Sequence, residues 1–174
     1  METLITGQVS ADGLVQPRIE PEIVVGLKTD LPPRSEPSAN AAAIDCVAAG
    51  LESSNVTSRG GVSAAEAVAE AGLHTAPAIG RRQEINAQET IALSPCDCEF
   101  VRDGTLVHRG LATTAPGGPV PALLGLLKGL PDRLRAGDII TTGSMIDATP
   151  VAAGQRWTNQ LHGPASSSVE MTFT

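Results

Sequence analysis

The stretch from Ile19 to Leu27 reads IEPEIVVGL, and after Glu22 it is apolar without a break. A run this short, rich in β-branched residues and opened by Gln16-Pro17, is a strand candidate rather than a helix. It reads as a buried strand with an acidic entrance. A buried strand needs a core around it, and here aromatics cannot build one: the chain has two Phe, one Trp and no Tyr. Val, Ile, Leu and Ala must do so, on short elements separated by 18 Gly and 13 Pro. That combination suits a β-rich fold with many turns.

The rest of the chain supplies further elements. Ala11-Asp12-Gly13 is a turn signal, and Leu31 to Ser38 is a loop by composition. Ser38-Ala39-Asn40 can cap an Ala-rich helix to about Ala49, ended by Gly50. Leu51 to Arg59 is polar and weakly patterned. Ser63-Ala64-Ala65-Glu66 is a capping box that starts a helix through about Ala71. Glu84 to Leu93 and Cys98 to His108 look like strands, the second turning through Arg102-Asp103-Gly104. Pro121 to Leu130 carries leucines at helical spacing behind an early Pro, and this stripe reads as core or subunit contact. Arg135 to Asp138 turns into a strand over Ile139 to Thr142, and Val169 to Phe173 alternates as a terminal strand.

At 174 residues the chain predicts one domain, residues 1–174. Twelve basic against nineteen acidic residues give a net charge of −7, which argues against a nucleic-acid partner, as does the lack of stacking aromatics. No apolar run approaches the roughly 20 residues of a membrane span, and METLITGQVS lacks the build of a signal peptide. The expectation is a soluble, cytoplasmic protein with neither nucleic acid nor membrane as partner. Cys46, Cys96 and Cys98 are an odd number and do not resemble a disulfide scaffold. Cys96-Asp97-Cys98 with His108 lacks the second pair that a soft-metal site needs, so two ordinary strand cysteines are expected.

Glu20 and Glu22 are the sharpest chemical feature. Residues i and i+2 of a strand point to one face about 6–7 Å apart. Two carboxylates so placed repel unless a cation lies between them, and Mg²⁺ or Mn²⁺ with oxygen ligands would supply that charge. The alternative is a solvated edge, since Pro21 removes a ladder donor. His74 and His162 are lone histidines without a visible partner.

Gln16 to Leu31, QPRIEPEIVVGLKTDL, resembles the signature of the 2-keto-4-pentenoate hydratase and 4-oxalocrotonate decarboxylase group within the fumarylacetoacetate hydrolase superfamily. Ala49-Gly50-Leu51-Glu52 resembles the family segment that supplies a third carboxylate. Ser63 to Gly80, Asp103 to Gly110, Gly118-Pro119 with Ala122-Leu123, and LRAGDIITTG over 134–143 resemble later segments. The resemblance implies an α+β fold, a β-rich mixed-sheet roll of the fumarylacetoacetase C-terminal-domain type with a few short helices. It implies a metal-dependent lyase, a hydratase giving a 4-hydroxy-2-oxo acid in aromatic catabolism, with Mg²⁺ or Mn²⁺ on Glu20, Glu22 and Glu52. Decarboxylation or C–C hydrolysis of 2-oxo acids is the alternative chemistry. Thr142 and Ser144 fall where the family hydrogen-bonds substrate, and a homo-oligomer, or a related subunit as partner, is implied too.

The sequence also departs from the family. The resemblance implies a chain that begins after the family's N-terminal stretch and its proton-transfer lysine; Lys28 lies in the wrong segment for that role. Asn55 stands where the family has an aspartate, and Glu70-Ala71 where it has Asp-Asn. An amide is no carboxylate base and Ala71 has no polar group. These changes point either to a relative that binds metal or a partner without turnover, or to an enzyme in which Glu70 or His74 carries the proton.

Overall fold

The computed structural model describes residues 5–57, 61–91, 93, 96–114, 117–163 and 166–174. Its strands are β1 (Ile5–Val9), β2 (Pro17–Leu27), β3 (Ile44–Asn55), β4 (His74–Ile79), β5 (Gln83–Glu84), β6 (Asp97–Arg102), β7 (Thr105–Leu111), β8 (Ile139–Ser144), β9 (Thr149–Pro150), β10 (Arg156–His162) and β11 (Ser167–Phe173). Its α-helices are α1 (Pro37–Ala43), α2 (Ala64–Ala69), α3 (Ala87–Ile91) and α4 (Pro119–Gly129).

The strands form two sheets. One runs β1-β11-β10-β6-β7 and is mixed, because β1 lies parallel to β11 while the other pairs are antiparallel. The second runs β4-β3-β2-β8, with β5 beside β3 and β9 beside β2, all antiparallel. Alternation on β10 and β11 turns Trp157, Leu161, Val169, Met171 and Phe173 inward. They share one core with Ile19, Ile23, Val25, Val47, Ala49 and Leu51 of the second sheet. All three aromatics lie in the first sheet and are fully buried, with Phe100 stacked on Trp157 at 4.7 Å between ring centroids. This is the β-rich, mixed-sheet architecture with a few short helices that the family resemblance implies. Among the described residues no helix is long and apolar enough to cross a membrane.

Several elements follow from the local sequence. β2 contains the whole expected strand and begins at Pro17. The Ser63–Glu66 capping box forms as read, with the Ser63 hydroxyl accepting from the Glu66 amide and the Glu66 carboxylate accepting from the Ser63 amide. The β6–β7 hairpin turns at Asp103 and Gly104, both at positive φ. On α4, Leu123 and Leu127 are buried as core.

Three expectations are corrected. The Ala-rich helix ends at Ala43, and its N-cap is Glu36 rather than Ser38. From Ile44 through Asn55 the chain is a strand paired along β2, and Gly50, expected to end a helix, lies inside it. Sheet pairing with a buried neighbour outweighs the helix propensity of Ala48 and Ala49. The same strand absorbs Leu51 to Asn55; Ser58 and Arg59 lie outside the described residues. Glu84 to Leu93 is not one strand, because after β5 the Asn86 side chain accepts from the amides of Gln88 and Glu89 while Glu89 accepts from the Asn86 amide. That reciprocal cap starts α3. β10 was not foreseen at all.

Candidate metal centre

β2 and β3 create the acidic centre. On β2, Ile19, Ile23 and Val25 face the core, leaving Glu20 and Glu22 on the other face. Antiparallel pairing places Glu52 opposite Glu20 and Gly50 opposite Glu22. Directly opposed residues have Cβ atoms about 4.5–5.5 Å apart, so the third carboxylate meets the first two across the ladder. Gly50 clears space beside them: a Cβ there would lie 2.5 Å from Val24 Cγ2.

The electrostatics are those of crowded anions. Glu22 is 4% exposed. Burial, followed by the charges of Glu52 and Glu20, pushes its carboxyl from 4.5 up to about 7, against the lowering effect of the Gly143 amide. Glu20 is also raised, by burial first and then by Glu52. Each carboxylate has its own protein partner. Glu22 Oε2 accepts from the Gly143 amide at 3.1 Å, Glu20 Oε1 from the Ser54 hydroxyl at 3.3 Å, and Glu52 Oε1 lies 3.1 Å from His74 Nδ1. Among the described residues no three His, Cys, Asp or Glu side chains stand in an arrangement that encloses an ion. The chemistry of the donor set nonetheless fits a hard divalent cation: three carboxylates share one face, and one of them is buried with no cationic side chain bonded to it among the described residues.

His74, read in the sequence as a lone histidine, has a partner. It opens β4 and pairs with Ser54 after a bulge between Ser53 and Ser54. That bulge brings its ring to Glu52. Glu70 behaves differently, since both its oxygens accept from the Thr57 hydroxyl, at 2.9 and 2.8 Å, on the exposed surface. Asn55 is bonded through Oδ1 to the amides of Val15 and Gln16, tying the segment before β2 to the end of β3. Ser144 is the register partner of Glu22, and its hydroxyl donates to the Ile146 carbonyl. The Thr142 hydroxyl donates to the carbonyl of Ile23 at 3.0 Å. His162 stands elsewhere, 4.0 Å from Glu99. Cys96 and Cys98 are buried, and burial raises both thiols to about 11.

A cleft of about 410 Å³ runs between α4 and β8, lined by Pro121, Ala122, Leu123, Gly125, Leu126, Ile140, Thr141, Thr142 and Gly143. It ends on Gly143, the residue whose amide holds Glu22. A larger cleft of about 540 Å³ lies around His108, Arg109, Met145 and Asp147, and none of the three glutamates lines either cleft.

No family model matches the sequence, and no curated protein matches it. Solved structures do. The fold superposes on 4-oxalocrotonate decarboxylase from Pseudomonas putida G7, complexed with magnesium and adipate, with a TM-score of 0.85 and 26% identity, covering 98% of this chain and 66% of that one. Fumarylpyruvate hydrolase from Pseudomonas aeruginosa, in complex with Mn²⁺ and pyruvate, matches in fold with a TM-score of 0.72 and 16% identity over 99% of this chain and 72% of that one. A protein ascribed to the fumarylacetoacetate hydrolase family, from Yersinia pestis CO92, gives 0.70 and 18% over 97% and 78%. The chain thus spans just under two thirds of the decarboxylase. Over nearly all of its own length, it has the fold of 4-oxalocrotonate decarboxylase and of fumarylacetoacetate hydrolase proteins.

Proposed function

We propose that the chain is a divalent-metal-dependent hydratase of small 2-oxo acids, adding water to a 2-hydroxy-dienoate or 2-oxo-alkenoate to give a 4-hydroxy-2-oxo acid. The observation that carries this reading is the convergence of Glu20, Glu22 and Glu52, with Glu22 buried and its carboxyl raised by the other two. Mg²⁺ or Mn²⁺ would be held by these three carboxylates. When bound, the cation supplies Lewis-acid stabilisation of negative charge on the substrate's 1-carboxylate and 2-oxo oxygens.

The chain's own residues do the rest. The Gly143 amide orients Glu22 by donating one hydrogen bond to Oε2. In the tautomer that donates Nδ1–H to Glu52, His74 would present Nε2 as the atom at which a proton is taken or returned during hydration. Ser144 and Thr142 border the site, Ser144 directly opposite Glu22. Glu70, bonded to Thr57, is a weaker candidate for proton transfer than His74.

The cleft beside Gly143 supports a substrate with an uncharged tail: among the described residues its lining carries no Lys, Arg or His to meet a second carboxylate. A second reading also has an observation behind it. Asn55 is occupied in holding the backbone of Val15 and Gln16, and Ala71 offers no polar group, which supports a relative that binds metal or a related subunit without turnover. We further propose a single cytoplasmic domain that assembles as a homo-oligomer.

Calorimetric titration of Mg²⁺ and Mn²⁺, with and without oxalate as an enolate mimic, tests the site on wild type and Glu20→Gln. Metal binding that oxalate tightens and the substitution abolishes supports it. Absence of binding to wild type sinks it. Turnover assays on dienol and decarboxylation substrates then separate the hydratase from its alternatives.

A further inference from the structure

Behind the carboxylates, on the opposite sheet, stands a side chain with no role in the reading so far. Asn159 lies on β10 between the inward-facing Trp157 and Leu161 and is fully buried. Its Nδ2 donates to the main-chain carbonyl of Glu22 at 3.1 Å and to that of Gly50 at 2.8 Å. Those two residues are register partners on β2 and β3. One amide from the first sheet therefore grips the second sheet across the pair that carries Glu22. Glu20 and Glu52 lie two residues away, one on each strand.

The other half of the amide gains nothing. Asn159 Oδ1 is buried and has no hydrogen-bonding partner among the described residues. An orphaned buried acceptor is a cost that an apolar side chain would avoid, but only by withdrawing the donor from the Glu22 and Gly50 carbonyls. What the amide secures at this point in the core is the hold on those two adjacent carbonyls.

We infer that Asn159 is a positioning residue of the acidic centre: by fixing the Glu22 and Gly50 carbonyls it sets where β2 and β3 sit against each other, and so where Glu22 delivers its carboxylate. The inference rests on the proposal that Glu20, Glu22 and Glu52 hold a divalent cation. Glu22 is held at both ends, its carbonyl by Asn159 and its carboxylate by the Gly143 amide. Loosening the first end displaces the second.

Two variants of the full chain test this, Asn159→Leu, which removes both donors, and Asn159→Asp, which keeps the shape and at most one donor. Mn²⁺ affinity is read by electron paramagnetic resonance, and the Gly143 amide by ¹⁵N spectra of the metal-free protein. The expected result is Mn²⁺ binding weakened about 10–100-fold, as for other residues that orient metal ligands, together with a displaced Gly143 resonance. Should Asn159→Leu fail to fold, Asn159→Asp carries the comparison. Affinity within twofold of wild type overturns the inference, and so does weakened binding with Gly143 unmoved, because the loss then does not run through Glu22. Failure of wild type to bind Mn²⁺ refutes the metal reading instead. In that case the Gly143 amide decides: displacement in the metal-free variants upholds the role of Asn159, and an unmoved resonance overturns it.

Discussion

Replacing Glu22 by Gln should stabilise the metal-free protein above neutrality while leaving it unchanged in acid. The folded carboxyl, raised to about 7 by burial and by Glu52 and Glu20, binds its proton more tightly than the unfolded group near 4.5. Between those two values the folded state holds more protons, so stability falls as pH rises through the window and the loss is complete above pH 7. At about 1.4 kcal/mol per pH unit the gap is worth roughly 3 kcal/mol. Gln keeps an oxygen for the Gly143 amide but carries no charge to desolvate. Urea unfolding in EDTA, followed through the single buried Trp157, should show the variant gaining up to about 3 kcal/mol on wild type between pH 4.5 and pH 8. Adding Mn²⁺ at about 100 times its Kd should return roughly 2.7 kcal/mol to wild type and nothing to the variant. A constant difference between the two proteins across that pH range would refute the reasoning, since Glu22 would then ionise in the folded state as it does in water.

Gly50→Ala should destabilise by about 1–3 kcal/mol, because the new Cβ would lie 2.5 Å from Val24 Cγ2; equilibrium unfolding checks it, and metal affinity should fall with it. Asn86→Ala removes the cap of α3 and should cost about 1 kcal/mol in the same assay. Cys96 and Cys98, buried with thiols raised to about 11, should resist a disulfide reagent at pH 8 until the protein is unfolded, read as delayed release of the coloured thiol.

How much of this was legible in the sequence depended on how local the cause was. The apolar run after Glu22 and the Ser63–Glu66 cap lie within a few residues of their effects, and both were read correctly. The equally local Asn86–Glu89 cap was obscured by the apolar residues Ile85, Ile91 and Leu93, whose even spacing mimics strand alternation. Ile44 to Gly50 failed for another reason: alanine favours helix, and only pairing along β2 makes the segment a strand. Glu20 and Glu22 could be placed on one face by period alone. Glu52 needed either resemblance or a register, and the contact between His74 and Glu52 needed a bulge that no spacing reveals. Asn159 acts across two sheets, and its alternation with Trp157 and Leu161 was the one signal that could have shown β10.

The parallel pairing of β1 with β11, Ile5 beside Val169 through Val9 beside Phe173, bears on how the molecule is made. During synthesis Ile5–Val9 leaves the ribosome before Ser167–Phe173 and finds its ladder only after that segment has followed. Until then the other edge of β11's sheet can assemble, but its parallel seam cannot close. Contacts so distant in sequence are slow to form. Throughout that interval the strand Ile5–Val9 stands without its ladder and open to the strands of neighbouring chains.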